Sequence, residues 1–374
     1  MKSRTRMSMA LPCLFAAVAM AVPSGAQQII KFDPPGAGKG ANQGTTSTGI
    51  NFFGTITGNV TDNNNGTHGF VRTPDGKYTE FDVPGADPVL GCTCPDSITD
   101  LGAVGGYFID TNTVGHGFLR TPSGNITTFD DPEAGTGAGQ GTYPQGITIF
   151  QVAGGYYYDA STTGHGFVRT PDGSFTSFDP TGSVGTFPGN INNFGVIAGA
   201  YYDANFVSHG FVRTPDGKIT TFDAPGAVGG SVGTYTAYIN DLGLIAGSYY
   251  DATTNVETGY VRTPGGQFTA FEAPGSGTAA YTGTNVYALN LQGTITGFTA
   301  DDNFNAYAFV RAPDGKATTF HIPGQIENGG NDEGSAGWAI NAEGQVAGRW
   351  RDLNLATHGF FRLPTGWHKA WKNP

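Results

Sequence analysis

The sequence predicts an all-β fold: a seven-bladed β-propeller of four-stranded antiparallel blades, closed by its own N-terminal strand. Three observations carry that expectation. An aromatic residue recurs seven times at a period near 48, each period holds four short β-rich segments, and the strand missing from the last period stands at the other end of the chain.

The recurring aromatic falls at Phe70, Phe118, Phe167, Phe211, Tyr260, Phe309 and Phe360, with spacings of 48, 49, 44, 49, 49 and 51. That period is in the range of propeller blades. The first segment of each period ends in Ile or Leu followed by Asn or Thr, at Ile50-Asn51, Ile98-Thr99, Ile147-Thr148, Ile191-Asn192, Ile239-Asn240, Leu289-Asn290 and Ile340-Asn341. Gly follows three residues later except in the third unit, which has Gln151. Asn shapes such turns with its side chain, and Gly takes the positive φ. The second segment is typified by Val196–Tyr202, the third by Gly210–Thr214 and the fourth by Ile219–Phe222, with Pro-Asp-Gly turning between the last two. β-branched and aromatic residues dominate and no 3.6-residue period appears, so these are strands. Four antiparallel strands repeated radially make a propeller.

The seventh unit lacks its fourth strand. Residues 29–37, Ile-Ile-Lys-Phe-Asp-Pro-Pro-Gly-Ala, match Ile219–Ala227 closely. This stretch is the expected clasp joining first and last blades, and it would remove exposed sheet edges.

The unit, with Ile-Asn-x-x-Gly, a short Val/Ile-x-Gly strand and His-Gly-Phe at 68–70, 116–118, 165–167, 209–211 and 358–360, resembles the HAF-type extracellular repeat family. Units five and six depart, with Thr258-Gly259-Tyr260 and Tyr307-Ala308-Phe309. The resemblance covers nearly all of the chain beyond residue 26 and implies an extracellular repeat fold, but no chemistry.

Residues 1–26 read as a secretory signal: Lys2, Arg4 and Arg6, an apolar stretch, then Ser24-Gly25-Ala26 before Gln27. The domain expected after cleavage is 27–374, secreted, periplasmic or at the cell surface. Cleavage removes three basic residues and no acidic one, leaving 16 Lys and Arg against 30 Asp and Glu, a net charge of −14. Such a surface repels nucleic acid and anionic membranes. No second apolar run has spanning length, so membrane insertion is not expected. Cys92 and Cys94 remain, read as a local disulfide or two free thiols rather than a metal site, because two further zinc ligands are lacking.

Recurrence separates scaffold from site. Arg72, Arg120, Arg169, Arg213, Arg262, Arg311 and Arg362 each follow the core aromatic by two residues. The fourth strands end in Asp82, Asp130, Asp179, Asp223, Glu272 and His321, with Asp33 from the clasp. A structural ring of Arg–carboxylate pairs is the economical expectation. Asp62, Asp110, Asp159, Asp203, Asp251, Asp301 and Asp352 open the loops between strands two and three, and five of these loops close on His68, His116, His165, His209 and His358. These read as turn caps rather than acid–base or metal chemistry. Asp62-Asn63-Asn64-Asn65-Gly66 lacks the terminal bidentate Glu of a calcium loop.

The two–three and four–one connections share one face and vary most, which makes that face the expected binding surface. Its candidates are Trp338, Trp350, Tyr158, Tyr202 and Tyr250, whose rings suit stacking on sugars or a partner peptide. All four tryptophans, Trp338, Trp350, Trp367 and Trp371, lie in the last unit or its tail. No Gly-x-Ser-x-Gly, His-Glu-x-x-His or phosphate-binding glycine loop occurs. The reading is a monomeric, non-catalytic binding or scaffold propeller for a glycan or extracellular protein, with no cofactor and no metal. The alternative is an extracellular hydrolase or lyase acting on glycans or similar polymers, with Glu133, Glu327, Asp332 and Glu333 as its unit-specific acids.

Overall fold

The computed structural model describes residues 28–364, apart from 90, 230, 231, 236 and 328–333. The expected signal segment, Asp332, Glu333, Trp367 and Trp371 lie outside the described residues. The described chain is all-β, with one short 3-10 turn at Pro225–Ala227. No helix among the described residues is long and apolar enough to cross a membrane.

The strands fall into repeated four-stranded antiparallel sheets. In the fourth unit, Gly185–Ile191, Ile197–Tyr202, Ser208–Arg213 and Ile219–Phe222 pair in sequence order. The other units follow the same meander, and most first strands carry a one-residue bulge: Thr48, Asp96, Gln145, Gly189, Tyr287 and Trp338 stand there. The last sheet contains Ser335–Ile340, Val346–Arg351 and Thr357–Leu363. Its fourth strand is the N-terminal segment Gln28–Phe32, antiparallel to the third, with Gln28 opposite Leu363 and Phe32 opposite Gly359.

Most consecutive units touch through single parallel bridges from a third strand to the start of the next first strand, at Thr67–Cys92, Gly115–Gly141, Ser208–Gly233, Glu257–Gly283 and Ala306–Gly334. The same bridge joins Thr357 of the last unit to Gly44 of the first. Gly44 has φ 107°, and a Cβ there would strike the Thr357 carbonyl, so the position needs glycine.

The core lies between adjacent sheets. The seven recurring aromatics are all buried, from Phe70 to Phe360. A typical cluster joins Ile191, Ile197, Tyr201 and Phe211 to Val168 and Phe178 of the preceding unit. Another joins Phe320 and Ile322 to Ile340, Trp350 and Phe360, with Ile29 packed against it.

The arginine ring is built differently from the Arg–carboxylate expectation. Each guanidinium lies over the last phenylalanine of the preceding unit's fourth strand: Arg120 over Phe81, Arg169 over Phe129, Arg213 over Phe178, Arg262 over Phe222, Arg311 over Phe271 and Arg362 over Phe320, at 4.6–5.0 Å. Arg72 covers Phe32 of the N-terminal strand at 4.8 Å. The cause is the period-two alternation of strands. In the fourth strand the Phe and the following acid point to opposite faces, so the arginine that meets the ring cannot also meet Asp82, Asp130, Asp179 or Asp223 from that side.

Candidate functional site

Those aspartates instead take histidines. The Nδ1 atoms of His68, His116, His165, His209 and His358 lie 2.7–2.8 Å from Asp82, Asp130, Asp179, Asp223 and Asp33. Each Nε2 lies 3.6–3.8 Å from the loop aspartate, Asp62, Asp110, Asp159, Asp203 or Asp352. The loop aspartate is itself a cap. Asp159 Oδ1 accepts from the Ser161 and Thr163 amides, both at 2.8 Å. The Thr163 amide, against the opposing effect of burial, holds its carboxyl below the usual range, helped by the Ser161 amide and the His165 charge. In His358 the bond to Asp33 outweighs burial and raises the imidazole. These Asp–His–Asp chains pin a loop to the outer strand, which fits their recurrence.

Unit-specific chemistry gathers nearer the centre. A run of aromatic rings passes from unit to unit: Tyr107 to Tyr143 at 5.2 Å, Tyr143 to Tyr156 at 5.3 Å, Tyr156 to Phe187 at 5.3 Å, and Phe187 to Tyr202 at 5.8 Å. Tyr158 packs between Tyr143 and Phe187. Further on, Tyr235 stacks on Tyr250 at 5.1 Å, and Tyr250 meets Tyr281 at 5.8 Å. Trp338 stacks on Tyr287 at 4.5 Å under the Arg349 guanidinium. Tyr158, Tyr202 and Tyr250 end second strands, and Tyr281 precedes a first strand. The arc therefore borders the two–three and four–one connections. Tyr202 is 36% exposed and Tyr281 58%.

The other end of the fold holds a cavity of about 280 Å³, lined by residues from all seven repeat units, among them Ile50, Ile98, Ile147, Ile191, Ile239, Leu289 and Ile340. Asparagines bind one unit to the next around it. The side-chain amides of Asn192, Asn240, Asn290 and Asn341 donate to the carbonyls of Asn240, Asn290, Asn341 and Asn51 at 2.9–3.0 Å, and Asn51 donates to Thr99 at 3.2 Å.

Of the sequence-predicted ligand residues, Tyr158, Tyr202 and Tyr250 share the arc, and half-buried Trp338 stands at its far end. Trp350 does not belong there. It is buried, stacked on His358 at 4.5 Å and covered by Lys31 at 4.8 Å, because its place in the second strand points it between sheets toward the N-terminal strand. Cys92 and Cys94 are joined as a disulfide. Among the unit-specific acids, Glu133 accepts from the Tyr157 hydroxyl at 2.7 Å, and Glu327 lies 3.3 Å from His321, in a different connection. Asp96, at the first-strand bulge of unit two, was not singled out by recurrence or motif. Burial pushes its carboxyl up to about 8. No group of three or more His, Cys, Asp or Glu side chains among the described residues could hold a metal ion.

No family profile matches the sequence, and no curated protein does. Solved structures do match in fold. A streptogramin B lyase superposes with a TM-score of 0.58 at 14% identity, over 90% of this chain and 98% of that one. Virginiamycin B lyase from Staphylococcus aureus gives 0.54 at 14%, over 91% and 100%. The lectin BP39L from Burkholderia pseudomallei gives 0.52 at 8%, over 85% and 94%. At these identities the likeness is one of fold, and it places the chain among all-β, propeller-like proteins.

Proposed function

We propose that the chain is an exported, non-catalytic binding propeller of seven blades, closed by its N-terminal strand, that takes a glycan on the aromatic arc of its loop face. Closure is supported by the strand pairing of Gln28–Phe32 with Thr357–Leu363, the Asp33–His358 bond, Arg72 over Phe32 and the Asn341–Asn51 bond. The observation that carries the binding reading is the arc itself. Its rings are confined to part of the ring of units, Tyr158, Tyr202 and Tyr250 standing where other second strands end in Thr61, Ile109, Ala300 and Arg351, and it leaves Tyr202 and Tyr281 accessible for stacking against sugar faces. The net charge of −14 beyond residue 26 fits a neutral or cationic partner better than an anionic one. The likeness to a lectin is consistent with this. The hydrolase or lyase alternative asks for two converging unit-specific carboxylates; of its candidates among the described residues, Glu133 and Glu327 are engaged in separate connections.

The test is a glycan screen on residues 27–374, followed by Tyr202→Ala and Tyr281→Ala. Stacking contacts of this kind are worth about 2 kcal/mol when they are hot spots. The expected result is a loss of tenfold or more in affinity with an unchanged melting temperature. A screen without any glycan hit, or a hit indifferent to both substitutions, overturns the reading.

A further inference from the structure

Asp96 breaks the pattern of its position. The corresponding bulge residues of other units are Thr48, Gln145, Gly189, Tyr287 and Trp338, none of them acidic. It lies two residues before Ile98, which lines the central cavity, and on the same inner strand as Cys94, which faces Tyr107 in register. The residue is half-buried, and its Oδ2 is buried without a hydrogen-bond partner. Its charge is felt by Tyr107, by Tyr156 of the next unit and by Tyr238 of the fifth. Other buried polar atoms without a partner also stand on first strands: Ser47 Oγ, Ser97 Oγ, Asn285 Oδ1 and Trp338 Nε1. Leaving such a carboxyl unpaired is costly, and a carboxylate more so.

We propose that the interior between the central cavity and the tyrosine arc is a binding site for an organic ammonium group, with the Asp96 carboxylate as counter-charge and the rings of Tyr107, Tyr143 and Tyr156 as a cation–π wall. The donor set decides the class of cation. A hard metal ion takes six or more oxygen ligands, while here one carboxylate stands beside neighbouring aromatic rings, the combination that suits an alkylated ammonium. Tyr107 and Tyr143 are 5.2 Å apart and Tyr143 and Tyr156 are 5.3 Å apart with nearly parallel planes, so the wall is continuous. The site shares this wall with the proposed glycan arc but does not rest on that reading, because its selectivity comes from the charge.

Binding must displace the proton that burial keeps on Asp96. Tyr107, Tyr156 and Tyr238, which feel its charge, are all held protonated chiefly by burial, so Asp96 is the group that titrates. Affinity for the cation therefore rises with pH and levels off above about 8.

The test is calorimetric titration of the mature chain with choline and with its uncharged isostere 3,3-dimethylbutan-1-ol. Above pH 8, choline is expected to bind at least tenfold more tightly than the isostere. Asp96→Asn, which matches the shape of the protonated acid, should erase that preference without lowering the melting temperature, and Tyr156→Leu should weaken choline as well. Equal binding of the two probes, no choline binding above pH 8, or an undiminished preference in Asp96→Asn overturns the inference. Binding of a neutral glycan by Asp96→Asn is expected to persist, which keeps the two readings separable.

Discussion

The side-chain amide of Asn341 donates to the backbone carbonyl of Asn51 at 2.9 Å, across 290 positions of sequence. The same side chain closes its own turn, since Asn341 Oδ1 accepts from the Gln345 amide at 3.0 Å. Asn341→Ala loses both bonds and should destabilise the fold by about 1–3 kcal/mol, the usual cost of stranding buried partners. Asn341→Thr should cost less. Thr99 and Thr148 show that a hydroxyl can serve the turn, through the Ala103 and Val152 amides. Denaturant melts of the two variants separate the turn from the link between chain ends. Equal stability of both variants and the parent would show that the link contributes nothing.

Removing residues 27–37 takes away the strand opposite Thr357–Leu363 and the partners of Arg72 and His358. The expected outcome is a lower melting temperature and aggregation through the bared edge. Scattering during a thermal ramp checks it, and an unchanged melt would remove the support for closure.

Arg213→Met tests the stacked arginine. A buried charge pair that loses one partner costs about 3–5 kcal/mol. Arg213 lies over Phe178 at 4.8 Å, a contact worth about 0.5–2 kcal/mol. The smaller loss is expected. A loss of the larger size would point back to an ionic partner.

Trp350→Ala should unfold rather than disarm the protein. The ring is buried against Phe320, Ile322 and Ile340, and such truncations cost about 3–5 kcal/mol. A folded variant with a parental melting temperature would return Trp350 to the binding surface.

Asp96 makes stability depend on pH with a definite sign. Its folded-state value is raised from 3.8 to about 8. Below pH 4 the acid is protonated in both folded and unfolded chains, and its stability contribution is fully present. Between these values the unfolded chain has lost a proton that the folded chain retains, so stability falls as pH rises, by about 1.4 kcal/mol per unit. Asp96→Asn removes this dependence. The melting temperature of the variant should exceed the parent's by a margin that is smallest near pH 4 and widest above 8. A constant margin would show that Asp96 ionises normally.

The strands, their order and the N-terminal partner of the last sheet were legible because a period near 48 repeats every relevant residue type. The arginine contact was misread because spacing along one unit cannot tell which neighbour a side chain reaches: Arg213 and Phe178 belong to different units. The histidine–aspartate pairing was readable from the repeats themselves. The two units without the loop histidine, at Thr258 and Tyr307, are also the two whose fourth strands end in Glu272 and His321 rather than Asp. Trp350 and Trp338 were both candidate ligand residues, yet Trp350 sits within a second strand and points between sheets, while Trp338 stands at the first-strand bulge and stacks on Tyr287. Asp96 matched no motif, since its burial and the tyrosines of other units that feel its charge, Tyr156 and Tyr238, are not written in its own unit's spacing.

The arginine stack has a direction. Every unit extends a guanidinium backward and leaves a phenylalanine for its successor, as Arg262 does for Phe222 and Phe271 for Arg311. A gene segment encoding one whole unit thus carries one half of each of its two joints, the guanidinium for one and the phenylalanine for the other. Such a segment could be copied, lost or cut at any joint without orphaning a neighbour, so unit number and the position of the chain ends are open to evolutionary change while the joint chemistry stays fixed.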